Sequence, residues 1–155
     1  MSRVVLRRQV EVAEPAQAVW GYVCDFARQG EWIPLTRVVP DRDRPPERLG
    51  GRMRARTALG PIGCWDPMTI TAWEPPLGKD AGRCEVMHTG RVVRGDAEFA
   101  VEAIDPDSSR FSWAEHIDLP GGRLGVLAWR AAEPVSGRVL EHALARMKQR
   151  VERGS

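Results

Sequence analysis

The sequence has no apolar run approaching the roughly 20 residues that span a membrane, and its first residues lack the apolar core of a signal peptide. Cysteine is also scarce. The three cysteines are odd in number and show no CxxC spacing, which favours reduced thiols over a disulfide framework. We therefore expect a soluble protein of the cytoplasm with no integral membrane association.

The chain also lacks a strong charge of one sign, because it has 23 basic and 21 acidic residues and a formal net charge of +2. A nucleic-acid interpretation is suggested by the stripe Arg52, Arg54 and Arg56 and by the basic loop that contains Arg37, Arg42, Arg44 and Arg48. Acidic residues dilute that loop, however, and no aromatic residues interleave for base stacking. We therefore expect no nucleic-acid partner and interpret the stripe as the solvated side of a strand.

Motifs for metals and cofactors are not found in the sequence. The histidines His88, His116 and His142 lie far apart, and no cysteine stands at ligand spacing from them. The glycine-rich segment 121–125 lacks the Lys-Ser/Thr of a phosphate loop. The sequence therefore predicts no metal and no cofactor.

Alternating apolar and polar residues predict a series of strands, over 3–12, 35–40, 51–59, 64–74, 83–89, 91–105 and 110–119. After the first strand, helical spacing predicts a short helix that begins at Pro15, and a second short turn ends at Pro34. The C-terminal region is helical. Because Pro134 lies inside it, the helix either kinks there or begins after it.

Each of these elements has one apolar face to bury, and a sheet that curls around the last helix buries all of them. The pattern therefore predicts one α+β domain over residues 1–155. In it, an antiparallel sheet of about seven strands wraps around a long C-terminal helix, with two short helices after the first strand.

Several local segments carry a family resemblance: VEVAEPAQAVW (10–20), VCDF (23–26), EWIP (31–34), GGRM (50–53), ITAWEPP (70–76) and LARMKQRVE (144–152). In this order they resemble the START-like or Bet v 1-like (SRPBCC) superfamily, which includes bacterial polyketide cyclase/dehydrase-type proteins. The resemblance implies a helix-grip fold with a hydrophobic cavity between the sheet and the C-terminal helix. Such relatives bind lipids or quinones, cyclise polyketides, or have no assigned activity, so the fold alone does not define the function.

Glu115 is the first candidate for chemistry, because alternation places it on the same face as Phe111 and Trp113. If this face lines the cavity, desolvation favours the protonated carboxyl, which could exchange a proton with a ligand carbonyl or hydroxyl. The alternatives are a shifted register or an arginine partner that makes Glu115 structural.

His88 is the second catalytic candidate, because it shares a face with Cys84 and Val86 and can reach the cavity. The alternative is a histidine satisfied in the core or at the rim. His116 and His142 are expected at the surface. Asp66 shares a face with Met68, but Pro67 disturbs the register, so we expect Asp66 at the rim.

Large flexible and aromatic side chains suit the wall of a cavity for a flat apolar ligand. The candidates for ligand binding are Met53, Trp65, Met68, Met87, Phe99, Trp113 and Trp129. Glu133 lies on the helix face of Trp129 and is expected at the cavity mouth, or alternatively as a cap of the second half-helix.

The sequence thus predicts the binding of a small hydrophobic molecule, lipid- or polyketide-like, in an internal cavity. The alternative is a polyketide cyclase, aromatase or dehydratase that uses the same cavity. A further alternative is a protein-interaction module with the arginine-rich face as its contact surface. The sequence does not decide between a monomer and a homodimer.

Overall fold

Seven antiparallel strands form one sheet within residues 2–154, the part of the chain that the computed structural model describes. In chain order they are β1 (Ser2–Val12), β2 (Thr36–Pro40), β3 (Arg52–Leu59), β4 (Ile62–Glu74), β5 (Gly82–His88), β6 (Gly95–Asp105) and β7 (Ser108–Leu119). In space the order is β1-β7-β6-β5-β4-β3-β2, so β2 to β7 form a meander and β1 pairs with β7. The predicted α+β class and the number of strands are confirmed.

Two short helices connect β1 to β2: α1 (Ala16–Val23) and a 3-10 helix (Phe26–Glu31). Helix α1 buries Val19, Trp20 and Val23, as the helical spacing predicts. Gly30 lies within the 3-10 helix, where a Cβ atom would come within 2.7 Å of the backbone oxygen of Thr36. The glycine therefore permits a close approach to β2.

The two faces of the sheet differ sharply in polarity. On β3, Met53 is buried while Arg52 and Arg54 are exposed, as the alternation predicts. We call the face with the buried side chains the inner face and the other the outer face. A register shift between Ile70 and Ala72 interrupts the alternation of β4. Trp73, three residues beyond Ile70, still packs against the core.

Strand β6 begins four residues later than predicted, at Gly95. The φ angle of Gly95 is 121°, and a Cβ atom there would lie 1.8 Å from the backbone oxygen of His116. Only glycine fits this close approach to β7. The predicted strand over 91–105 was therefore too long at its start.

The C-terminal helix α2 (Gly122–Glu152) runs without interruption through Pro134. The alternative that it begins after the proline is wrong. Pro134 is exposed and lies in the first half of the helix, which also leaves Leu124 and Leu127 exposed. From Gly137 onwards the helix buries Leu140, Ala143, Leu144, Met147 and Val151. The second half therefore anchors α2 to the core. Within residues 2–154, no helix combines the length and apolarity needed to cross a bilayer.

Four aromatic rings form the centre of the core: Trp32, Phe99, Phe111 and Trp113. Their ring centroids lie 5.2 to 6.0 Å apart, mostly in edge-to-face arrangements. Such geometry adds to the stabilisation that burial alone provides. Trp32 and Phe111 have no accessible surface, so this cluster holds the 3-10 helix against β6 and β7.

Candidate functional site

A cavity of about 270 Å³ lies against the inner face of the sheet, between strands β2 to β7, the 3-10 helix and helix α2. Most of the side chains around it are apolar, among them Met53, Met68, Val86, Ala97, Phe99 and Trp113. Helix α2 contributes Val139, which is 44% exposed and therefore lies where the cavity meets the surface. A concave apolar space with a few polar groups is the usual form of a small-molecule site.

Six predicted site residues lie together around this cavity: Met53, Met68, His88, Phe99, Trp113 and Glu115. They come from five different strands, and alternation along each strand turns them inward. Gln29, Cys84, Ala97 and Val139 also line the cavity but were not singled out from the sequence as lining residues. Small or polar side chains on a cavity wall carry no distinctive signal in a single sequence.

Trp65 and Met87 do not line the cavity, and their predicted placement there is wrong. Trp65 is 45% exposed and Met87 is 47% exposed. Trp65 lies on the outer face, where the guanidinium of Arg54 stacks 4.6 Å from its ring centroid. The reason is the period of two, because Asp66 and His88 point inward and their immediate neighbours must point outward.

Trp129 and Glu133 are also absent from the cavity wall. Trp129 is half-buried and packs against the core from the first half of α2. The Glu133 carboxylate lies 3.3 Å from Nη2 of Arg8, so it connects α2 to β1 instead of standing at the cavity mouth. The helix wheel indicated the correct side of α2 but not which part of the sheet that side meets.

Three polar side chains meet at one wall of the cavity: Asp66 on β4, His88 on β5 and Glu115 on β7. Asp66 Oδ2 lies 2.7 Å from His88 Nδ1, and Glu115 Oε2 lies 3.4 Å from His88 Nε2. The indole nitrogen of Trp113 donates a hydrogen bond of 2.7 Å to Glu115 Oε1. Asp66 therefore lies on the cavity wall, with its side chain 15% exposed, and not at the rim as predicted.

Small residues on β6 allow His88 and Glu115 to meet across an intervening strand. Gly95 is paired with His88, and Ala97 is paired with Glu115 on the other side. Because one position has no side chain and the other has only a methyl group, the imidazole and the carboxylate can extend towards each other above β6. The polar cluster therefore depends on the register of three strands.

The charge state of His88 follows from its surroundings. Burial alone would lower the pKa of the imidazole, but the hydrogen bond to Asp66 and the negative charges of Asp66 and Glu115 outweigh it and raise the pKa to about 10. His88 is therefore an imidazolium at neutral pH and has no free lone pair to act as a base. Glu115 does not stand alone among aromatic rings, and its charged partner is His88 and not an arginine.

Two buried polar atoms of the cluster have no hydrogen-bond partner within residues 2–154: Nε2 of His88 and Oδ1 of Asp66. The 3.4 Å contact of Nε2 with Glu115 is an ion pair without hydrogen-bond geometry. An unpaired buried donor or acceptor costs about 1–3 kcal/mol. A polar group of a ligand in the cavity would remove part of that cost.

The remaining histidines and the arginine stripe lie outside this site. His142 is exposed, and His116 is half-buried with Nδ1 2.8 Å from Oδ2 of Asp96. Arg54 of the stripe lies on the outer face, away from the cavity. Within residues 2–154, no three His, Cys, Asp or Glu side chains have the arrangement of a metal site.

The chain as a whole is similar to a known protein family in sequence and to solved structures in fold. The family described as polyketide cyclase / dehydrase and lipid transport matches residues 3–152. No curated protein is similar enough in sequence to count as a relative.

Solved structures share the fold at low sequence identity. The ZhuI aromatase/cyclase from Streptomyces sp. R1128 is 16% identical, with a TM-score of 0.74 over 98% of this chain and 95% of its own. A START superfamily protein from Mycobacterium smegmatis is 18% identical, with a TM-score of 0.70 over 97% and 99%. The di-domain aromatase/cyclase BexL from the BE-7585A biosynthetic pathway is 20% identical, with a TM-score of 0.67 over 98% and 47%.

Proposed function

The chain belongs to the polyketide cyclase/dehydrase and lipid-transport family, and we propose that it binds a small hydrophobic molecule in the cavity between the sheet and α2. The observation that carries this proposal is an apolar cavity with a cluster of charged side chains on one wall. A space that only completes the packing of a core has no need of buried charges, which are costly to desolvate. The polar cluster therefore supports a ligand that is apolar over most of its surface and polar at one point.

Filling the cavity tests this proposal. Ala97→Leu places a larger side chain in the wall, and we expect it to weaken binding of a hydrophobic fluorescent dye at least tenfold because the ligand space is occupied. The matched control is Ala100→Leu, the same change on the same strand but outside the cavity lining, which should bind the dye as the wild type does. Equal binding by all three proteins would place the dye site elsewhere and contradict the proposal. Native mass spectrometry of the purified protein would identify a retained ligand.

A second candidate function is enzymatic, and one observation favours it: His88 is an imidazolium beside a carboxylate. With a ketone in the cavity, His88 Nε2 would donate a hydrogen bond to the carbonyl oxygen while Glu115 takes the proton from the α-carbon. The C–H electron pair then forms the enolate, whose oxygen is stabilised by the imidazolium. Glu115 is the base in this scheme and His88 the hydrogen-bond donor.

This second function predicts catalysed hydrogen exchange at an α-carbon. With 1-tetralone, a bicyclic aromatic ketone, in D2O, we expect the protein to accelerate deuterium uptake at least tenfold over buffer, measured by NMR. Glu115→Gln should lose the acceleration because the amide is not a base. Glu74→Gln, an exposed position of β4, is the matched control and should keep it. If bound tetralone exchanges no faster than free tetralone, the site binds without catalysing enolisation.

A further inference from the structure

We propose that the ligand of this cavity is electrically neutral and carries a hydroxyl group, as a phenol, an enol or an alcohol does, which it places between His88 and Glu115. This inference rests on the proposed binding function and specifies the chemical class of the ligand. By the same chemistry, the cavity rejects hydrophobic molecules that end in a carboxylate.

The first argument is the hydrogen-bonding capacity that remains in the cluster. Nδ1 of His88 is engaged by Asp66, and Oε1 of Glu115 accepts from the Trp113 indole. What remains is one donor, the N–H at Nε2 of His88, and two acceptors, Oδ1 of Asp66 and Oε2 of Glu115. Nε2 of His88 and Oε2 of Glu115 lie 3.4 Å apart and form no hydrogen bond with each other.

A hydroxyl oxygen matches this pair of atoms because it accepts one hydrogen bond and donates another through the same atom. It would accept from Nε2 of His88 and donate to Oε2 of Glu115. A carbonyl or an ether accepts only, and would leave the Glu115 oxygen without a donor. Both protein groups are largely buried, with side-chain exposures of 7% and 18%, so satisfying both is worth more than it would be in water.

The second argument is charge. The cluster contains two carboxylates and one imidazolium, and among residues 2–154 no lysine or arginine lines the cavity to compensate for the excess negative charge. A ligand carboxylate at this position would face a wall of its own sign with reduced solvent screening. An unfavourable charge contact of this kind is one way in which a binding site rejects a wrong ligand. Fatty acids and aromatic acids are therefore disfavoured, while phenols and alcohols are accepted.

The third argument is size. A cavity of about 270 Å³ is close to the lower end of the roughly 300–1,000 Å³ that small-molecule pockets span. The part of the ligand held inside is therefore compact. The aromatic side chains Phe99 and Trp113 on the wall suit a flat ring system of about two fused rings.

Three bicyclic probes of one shape test the proposal: 2-naphthol, naphthalene and 2-naphthoate, with binding to the full chain measured by calorimetry at pH 7. We expect 2-naphthol to bind at least tenfold more tightly than naphthalene, because only the naphthol satisfies His88 and Glu115. We expect 2-naphthoate to bind at least tenfold more weakly than 2-naphthol, because of the negative cluster.

The variant Glu115→Gln tests both the hydrogen-bond argument and the charge argument. The variant lacks one negative charge and presents an amide, so the advantage of 2-naphthol over naphthalene should shrink to less than threefold and 2-naphthoate should bind more tightly than it does to the wild type. Glu74→Gln, the same change outside the cavity, should match the wild type with all three probes.

The outcomes distinguish this inference from the proposed function. If naphthalene and 2-naphthol bind equally, the hydroxyl inference is overturned while the binding function stands. If 2-naphthoate binds the wild type most tightly, the charge argument is overturned. If none of the three probes binds, the proposed function fails and this inference fails with it.

Discussion

Replacing His88 by leucine is expected to lower the free energy of unfolding by about 3–5 kcal/mol, the cost of breaking a buried ion pair by removing one partner. The imidazolium is the charge partner of both Asp66 and Glu115 on this wall of the cavity. Without it, two carboxylates stay largely buried with no counter-charge. Urea unfolding followed by tryptophan fluorescence at pH 7 measures the loss.

The matched control is His116→Leu, because His116 also pairs with an aspartate but lies on the more exposed side of the sheet, with its side chain 24% accessible. Its removal should cost less than about 1 kcal/mol, because the contact is solvent-accessible and even charged pairs at such positions contribute little. Adding Asp66→Asn and Glu115→Gln to His88→Leu should restore part of the lost stability, since no buried charge remains. Equal losses for His88→Leu and His116→Leu would contradict the central role of His88.

The same histidine makes stability depend on pH with a definite sign. The pKa of His88 is about 10 in the folded protein and has its ordinary value of 6.5 when the chain is unfolded. The stabilisation is therefore complete below pH 6.5 and is lost as the pH rises to about 10, at up to about 1.4 kcal/mol per pH unit.

Two other groups also lower stability at high pH, so the comparison with the variant is essential. Burial raises the pKa of the Cys24 thiol, and it raises the pKa of Tyr22 to about 12. Both effects are shared by wild type and His88→Leu. The difference in unfolding free energy between the two proteins should therefore shrink between pH 6.5 and 10. A constant difference would contradict the raised pKa.

Alternation of side chains along the strands correctly predicted that both catalytic candidates point towards the cavity. It turned Glu115 inward with Phe111 and Trp113, and it turned His88 inward with Cys84. The same rule already excluded Trp65 and Met87. They were selected because they are large and apolar, although their neighbours Asp66 and His88 share the inner face. Size is a weaker guide to a cavity than the period of the strand.

The contacts of His88 with Asp66 and Glu115 could not be predicted from the patterns of single strands. It depends on the register that pairs His88 with Gly95 and Ala97 with Glu115, and this register is determined by the turns between the strands. The turn 89–94, which joins β5 to β6, has no motif that defines a turn type. The sequence therefore predicted which residues face inward but not which of them touch.

In helix α2, a proline is tolerated although its intrinsic helix propensity is low. Proline normally interrupts a helix because it lacks an N–H and its ring crowds the preceding turn. Pro134 lies in the exposed first half of α2, where few tertiary contacts depend on a straight axis. The buried positions of the helix begin at Gly137, whose Cβ position would lie 2.3 Å from Nη2 of Arg8.

The other large effect is expected at Trp32, the centre of the aromatic cluster. Trp32→Ala should lower the free energy of unfolding by about 3–5 kcal/mol, because a fully buried indole is replaced by a cavity. The change removes edge contacts with Phe111 and Trp113, whose centroids lie 6.0 and 5.7 Å away. Since Trp113 holds Glu115 through its indole nitrogen, binding of 2-naphthol should weaken too. Urea unfolding and calorimetry measure the two effects.

The variant Trp32→Phe distinguishes the contribution of the aromatic ring to stability from that of the indole nitrogen. The indole nitrogen of Trp32 is buried and has no hydrogen-bond partner within residues 2–154, so it contributes a desolvation cost and no bond. Phenylalanine keeps an aromatic ring against Phe99, Phe111 and Trp113 and removes that unpaired donor. We therefore expect the loss to stay below about 1.5 kcal/mol, as for other conservative core replacements. A loss as large as that of Trp32→Ala would contradict this expectation and show that the size of the indole ring, and not aromatic contact alone, stabilises this part of the core.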